Sequence, residues 1–192
     1  MRKRVTALAT LATLAATVAS SGQGPSAPLV PSHPAIGYSE RPADDRVAEL
    51  GRRLQRGEAT LRYDRALGFL PALLDALEVP VESQTLVFSK TSLQVEEIGP
   101  DNPRAIYFTD DVSIAWIRSA PVIEIAAHDP EQGVMFYALR QHSAFARRGF
   151  QRPRSCLECH IADTTLGVPG MAVGSAVVDA DGEPYVAAPV DH

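Results

Sequence analysis

Covalent crosslinks and lysine are both scarce in this chain. Cys156 and Cys159 are the only cysteines among 192 residues, and a disulfide between them would close a strained loop that staples little. Lys90 is the only lysine beyond Lys3, so arginine carries nearly all the remaining positive charge. The net charge is −5. An acidic chain without clustered Lys/Arg has no counterion-displacing surface, which argues against nucleic acid as a partner. Internal repeats and coiled-coil heptads are absent. So is any apolar run of the roughly 20 residues needed to cross a bilayer core.

The first residues have their own pattern. Arg2, Lys3 and Arg4 precede an uncharged Ala/Leu/Thr-rich stretch, Val5 to Ala19, and then the small residues Ser20-Ser21-Gly22. A basic head, a short apolar middle and a small-residue exit are the layout of a secretory signal peptide. The expectation is a signal over residues 1–21, cut between about Ser20 and Gln23, an exported or periplasmic product, and no membrane span after cleavage. Losing residues 1–20 removes three positive charges and no acidic ones, which moves the net charge from −5 to −8. Residues 22–43, rich in Pro, Ser and Gly, read as a flexible linker.

Helical spacing follows. Asp44 or Asp45 can cap a helix to about Arg56, with Val47, Leu50 and Leu54 on one face. Leu67, Leu70, Leu74 and Leu77 suggest a second helix over Arg65 to Leu77, kinked or started late by Pro71. The pattern then changes to period two in Leu86-Val87-Phe88, Ala105–Thr109, Val112–Ile117, Val122–Ala127 and Val134–Leu139. Turn residues at Asp110-Asp111, Ser119-Ala120-Pro121 and 129–133 separate these runs, which favours an antiparallel meander. A last hairpin is expected at Ala176–Val178 and Tyr185–Ala187 about Asp181-Gly182. The fold class expected is α+β: N-terminal helices and a β meander over residues 44–141, then a segment over 142–192 packed on it.

That final segment carries the chemistry. Cys156-Leu157-Glu158-Cys159-His160 places two thiols three positions apart, on one side of a helical turn, with an imidazole directly after. Two thiols so spaced can each add across one vinyl group of a haem, and His160 then lies beneath the iron. This is the signature of c-type haem attachment, and the chain resembles the c-type cytochromes in these five residues. The late position of the motif, after a strand-rich section, is similar to cytochrome c′-beta at the level of architecture only. Other readings of the cysteine pair remain open. A thioredoxin-like dithiol wants an apolar strand before the motif, and here the approach is the polar Arg147-Arg148-Gly149-Phe150-Gln151-Arg152-Pro153-Arg154. A structural zinc wants a second ligand pair, and the sequence offers none at ligand spacing.

The resemblance implies one covalent haem c held by Cys156, Cys159 and His160, and attachment outside the cytoplasm. Met171, eleven positions after His160 and preceded by the bends of Gly167, Pro169 and Gly170, is the candidate distal ligand and second metal ligand. His142 is the alternative for that position, while Met135 in an apolar run reads as core. The arginines Arg147, Arg148, Arg152 and Arg154 are candidates to pair with haem propionates. The expected function is electron transfer with redox partner proteins. A small-ligand sensor or a peroxidase-like enzyme with an open iron site is the alternative.

Overall fold

The structure is a computed structural model that describes residues 33–34, 36–142, 149–162, 165–171 and 177–185. The signal-like residues 1–21, Arg147, Arg148 and the ends of the C-terminal hairpin therefore lie outside the described residues. Helix α1 spans Arg46–Arg56 and α2 spans Leu70–Ala76. Five strands follow: β1 Thr85–Val87, β2 Arg104–Phe108, β3 Val112–Trp116, β4 Val122–Asp129 and β5 Gly133–Arg140. A single turn of helix, α3, spans Leu157–His160. The strands form one antiparallel sheet in the order β1-β2-β3-β4-β5.

The α+β class expected from the sequence is corrected by this architecture, which is mostly β: helices of 11, 7 and 4 residues accompany a five-stranded sheet. The second stretch of leucines shows why. The side chain of Asp64 accepts the N–H groups of Ala66 and Leu67 at 2.7 and 2.8 Å, and Asp64 and Gly68 exchange backbone hydrogen bonds. That local alternative takes the first residues out of the helix, and Pro71, near the N-terminus of α2, fits only after the turn is complete. The helix expected over Arg65 to Leu77 is thus shortened to about two turns, Leu70–Ala76.

Alternation along the strands divides the sheet into two faces. Val112, Ile114, Ile123, Ile125, Met135, Tyr137 and Leu139 are buried on the face covered by α1 and α2, against Val47, Leu50, Leu73, Leu74 and Leu77. Asp45 fixes the first helix by accepting from Val47 N (2.8 Å) and Ala48 N (2.9 Å), and its other carboxylate oxygen accepts from the Tyr137 hydroxyl. Helix α1 is thereby tied to β5 as well as capped. The end of the linker expected over 22–43 also belongs to this core, since Ile36, Tyr38 and Ala43 are buried.

Strand β5 is the edge that matters for the motif. Its inward N–H groups pair with β4, and three outward ones find three unrelated acceptors. Val134 N donates to Pro169 O at 3.1 Å, Phe136 N to the Tyr38 hydroxyl at 2.9 Å, and Ala138 N to Gln151 O at 2.8 Å, reciprocated by Gln151 N at 3.0 Å. An edge satisfied in this way offers no template for another strand. It also holds the C-terminal segment along the sheet at two points on either side of Phe136. Among the described residues, no helix is long and apolar enough to cross a membrane.

Candidate functional site

Pro153 leads into a 3-10 turn, Arg154–Cys156, which runs directly into α3. Leu157 is buried and anchors this turn in the core, while Cys156 packs half-buried beside it and Cys159 is exposed. Both thiols are unpaired with each other. One turn of helix therefore presents two thiols and the His160 imidazole within five residues, as the sequence spacing requires.

His160 is held on two sides. Its Nδ1 lies 3.0 Å from Gly170 O, and Gly170 N donates to His160 O at 3.0 Å. A carbonyl oxygen can only accept, so Nδ1 is the protonated nitrogen, and in the neutral imidazole Nε2 carries the free electron pair. The imidazole ring also lies against Phe136 of β5, with centroids 4.2 Å apart and planes 31° apart. The returning loop is closed by Thr165, whose hydroxyl accepts from Ala162 N and donates to Ala162 O, both at 3.0 Å. Leu166 in this loop has a φ of 55° and is 88% exposed. An apolar side chain in a left-handed conformation facing outward is strained and unburied at once.

The floor beside His160 is the second face of the sheet. Register places Phe108, Ser113, Ala126 and Phe136 in one row across β2 to β5, and Ile106, Ala115, Glu124 and Ala138 in the next. Ser113 and Ala126 are small in the middle of the first row, and Ala115 stands beside Glu124 in the middle of the second. Glu124 accepts from Ser92 Oγ at 2.9 Å and from Gln94 Nε2 at 3.2 Å. Burial, and then the charge of Glu124, push the Cys156 thiol up to about 11. Nucleophilic dithiol enzymes need the opposite shift, so the electrostatics disfavour the thioredoxin-like reading. Among the described residues, no group of three or more His, Cys, Asp or Glu side chains is arranged to hold a metal ion.

Cys156, Cys159 and His160 come together on one turn. Met171 directly follows Gly170, whose carbonyl accepts from His160 Nδ1. It is half-exposed and lines a groove of about 120 Å³ with Asp111, Ser113, Ala126, His128 and Val134. His128 sits on β4, opposite Val134. His142 lies just past the far end of β5 from Val134, and Met135 is fully buried in the core. Arg152 stacks on the Tyr38 ring at 4.8 Å. Lys90 pairs with Glu183 at 2.8 Å, which brings the turn at Asp181-Gly182 onto the sheet's rim. Phe136, Gly170 and Glu124 had no motif to announce them. Only the alternation of β5 marked Phe136 as belonging to a face opposite Met135 and Tyr137.

Compared with known protein families, curated proteins and solved structures, the chain matches none of them.

Proposed function

We propose that the chain is an exported monohaem c-type cytochrome acting in electron transfer, with one haem c bound through Cys156 and Cys159 and ligated by His160. One observation carries this reading: the His160 Nδ1 proton is committed to Gly170 O in the same short turn that presents both unpaired thiols. Metal-ligating histidines characteristically donate their second ring N–H to a carbonyl or carboxylate, which fixes the tautomer and raises ligand basicity. Ser113, Ala115 and Ala126 are small side chains on the face of the sheet beside His160, and Phe108 and Phe136 stand at the two ends of the row that holds Ser113 and Ala126. Exposed Leu166 and Val168 beside the motif supply apolar surface for a haem to cover.

When bound, the haem supplies a one-electron iron couple. The chain's own part is positional. Leu157 fixes the turn in the core, the thiols of Cys156 and Cys159 would hold the group covalently, and Gly170 holds the imidazole through Nδ1 so that Nε2 is left to ligate. Export rests on residues 1–20, since thioether formation through such a motif belongs outside the cytoplasm in the c-type cytochromes that the motif resembles.

Met171 remains the candidate for the iron's sixth site, and an open iron able to take a small ligand, as in a sensor or peroxidase-like enzyme, is the second reading. Protein matured in a host with haem-attachment machinery should retain haem on a denaturing gel and give a pyridine haemochrome of the thioether type. Haem that leaves entirely in acid acetone overturns the proposal. Rapid binding of carbon monoxide by the ferrous protein assigns it to the open-iron reading; no binding assigns it to six-coordinate electron transfer.

A further inference from the structure

The clasp on His160 does not end at Gly170. Pro169, one residue earlier, accepts from Val134 N at 3.1 Å, so the loop that carries the Gly170 carbonyl is bonded to the first outward N–H of β5. Gly133 precedes Val134 with a φ of +83°, and a Cβ built there would meet Pro169 O at 2.9 Å. The close approach of strand and loop therefore depends on the absence of a side chain at residue 133.

We propose that Gly133 and Val134 are positioning residues for the iron ligand: through Pro169 they set where the Gly170 carbonyl sits on His160 Nδ1, and so how basic the ligating nitrogen is. This inference rests on the haem reading above. The chain of contacts is short and rigid at each link. Val134 is held by its strand partners in β4, Pro169 has a fixed φ, and Gly170 is bonded to His160 by its backbone N–H as well as its carbonyl. Pushing Pro169 away lengthens the Nδ1 hydrogen bond. A weaker bond makes Nε2 a poorer donor, which favours ferrous over ferric iron.

The test compares Gly133→Ala with Gly57→Ala in the full chain. Gly57 ends α1 with a φ of +73° and has nothing within 4 Å of a built Cβ. Both variants carry the same left-handed strain, and only the first displaces Pro169. In the haem-loaded protein, Gly133→Ala should raise the reduced-to-oxidised ratio at a fixed poise by about threefold or more, and Gly57→Ala should leave it unchanged. A tenfold change in that ratio corresponds to about 59 mV for a one-electron couple. In the haem-free chain with Cys156→Ser and Cys159→Ser, nitrogen NMR should find His160 protonated at Nδ1, with Gly133→Ala moving the proton toward Nε2. Val134→Pro removes the donor itself at an edge position that proline tolerates, and should act in the same direction if Gly133→Ala does not fold. An unchanged tautomer and an unchanged ratio in the folded variants overturn the inference. A chain that never acquires haem instead overturns the functional proposal, while the tautomer still decides the inference.

Discussion

The two faces of the sheet are made by the same strands and have opposite characters. On the helix side, Ile114, Ile123, Met135 and Leu139 are at most 1% exposed, and α1 and α2 close over them. On the other side, Ser113, Ala115 and Ala126 are small and only half-buried, Phe108 is 45% exposed, and the cover is a loop and a single turn of helix. Burial at about 25 cal/mol per Å² makes the first face the source of stability. The second gives up that stabilisation and carries the unpaired thiols, the clasped histidine and the exposed leucine. The two characters lie on opposite faces of one sheet, joined where Leu157 of the motif enters the core.

The largest effects come from breaking that separation at each face in turn. Replacing Cys156 and Cys159 together by Ser should abolish covalent haem entirely, read by haem stain. The thermal midpoint of the haem-free chain should move little, because Cys159 is exposed and Cys156 only half-buried. Leu73→Ala should do the reverse. Leu73 is fully buried between α2 and the sheet, so its truncation should cost about 2–5 kcal/mol in denaturant unfolding while leaving the His160 tautomer as it is. A shift in tautomer from Leu73→Ala would mean that the two faces are coupled.

How much of this could be read beforehand differs between the faces for a physical reason. Period-two runs from Ala105 to Leu139 are set by burial on one side, so alternation marks them without knowledge of the partner strands. The helical share was misjudged because leucine spacing reports a buried stripe, and Asp64 competes locally for the N–H groups that would have begun the helix. The grouping of the thiols and His160 was legible because five consecutive residues on one helical turn bring them together whatever packs around them. Gly170 and Gly133 were not, since their role depends on a backbone carbonyl and a missing Cβ meeting across 36 residues.

A smaller effect should come from Asp45. Asp45→Ala removes the cap of α1, worth about 0.5–2 kcal/mol, and also strips the buried Tyr137 hydroxyl of its acceptor. The loss should exceed that of a cap alone, and Tyr137→Phe in the same background should recover part of it. A double-mutant cycle with no coupling would show that the cap and the strand contact are independent.

The smallest effect is a slope rather than a step. Asp129 ends β4 and is 1% exposed. Burial raises its carboxyl, but the N–H groups of Asp44, Glu131 and Gln132, at 2.6–2.8 Å, outweigh burial and hold it below the usual carboxylate range. A folded-state value below the unfolded one, about 3.9, means the native state binds fewer protons than the unfolded state through that window. Its contribution is therefore present above about pH 4 and is lost as pH falls through the lowered folded value. Asp129→Asn should reduce stability near neutral pH and flatten the acid limb of a stability–pH curve below about pH 4. Because Asp129 joins the segment before α1 to the hairpin that leads into β5, the same substitution tests whether loosening the helix-covered face reaches Gly133, four residues on. If the His160 tautomer stays fixed while the acid slope flattens, the hairpin turn absorbs the change and the two faces are mechanically separate.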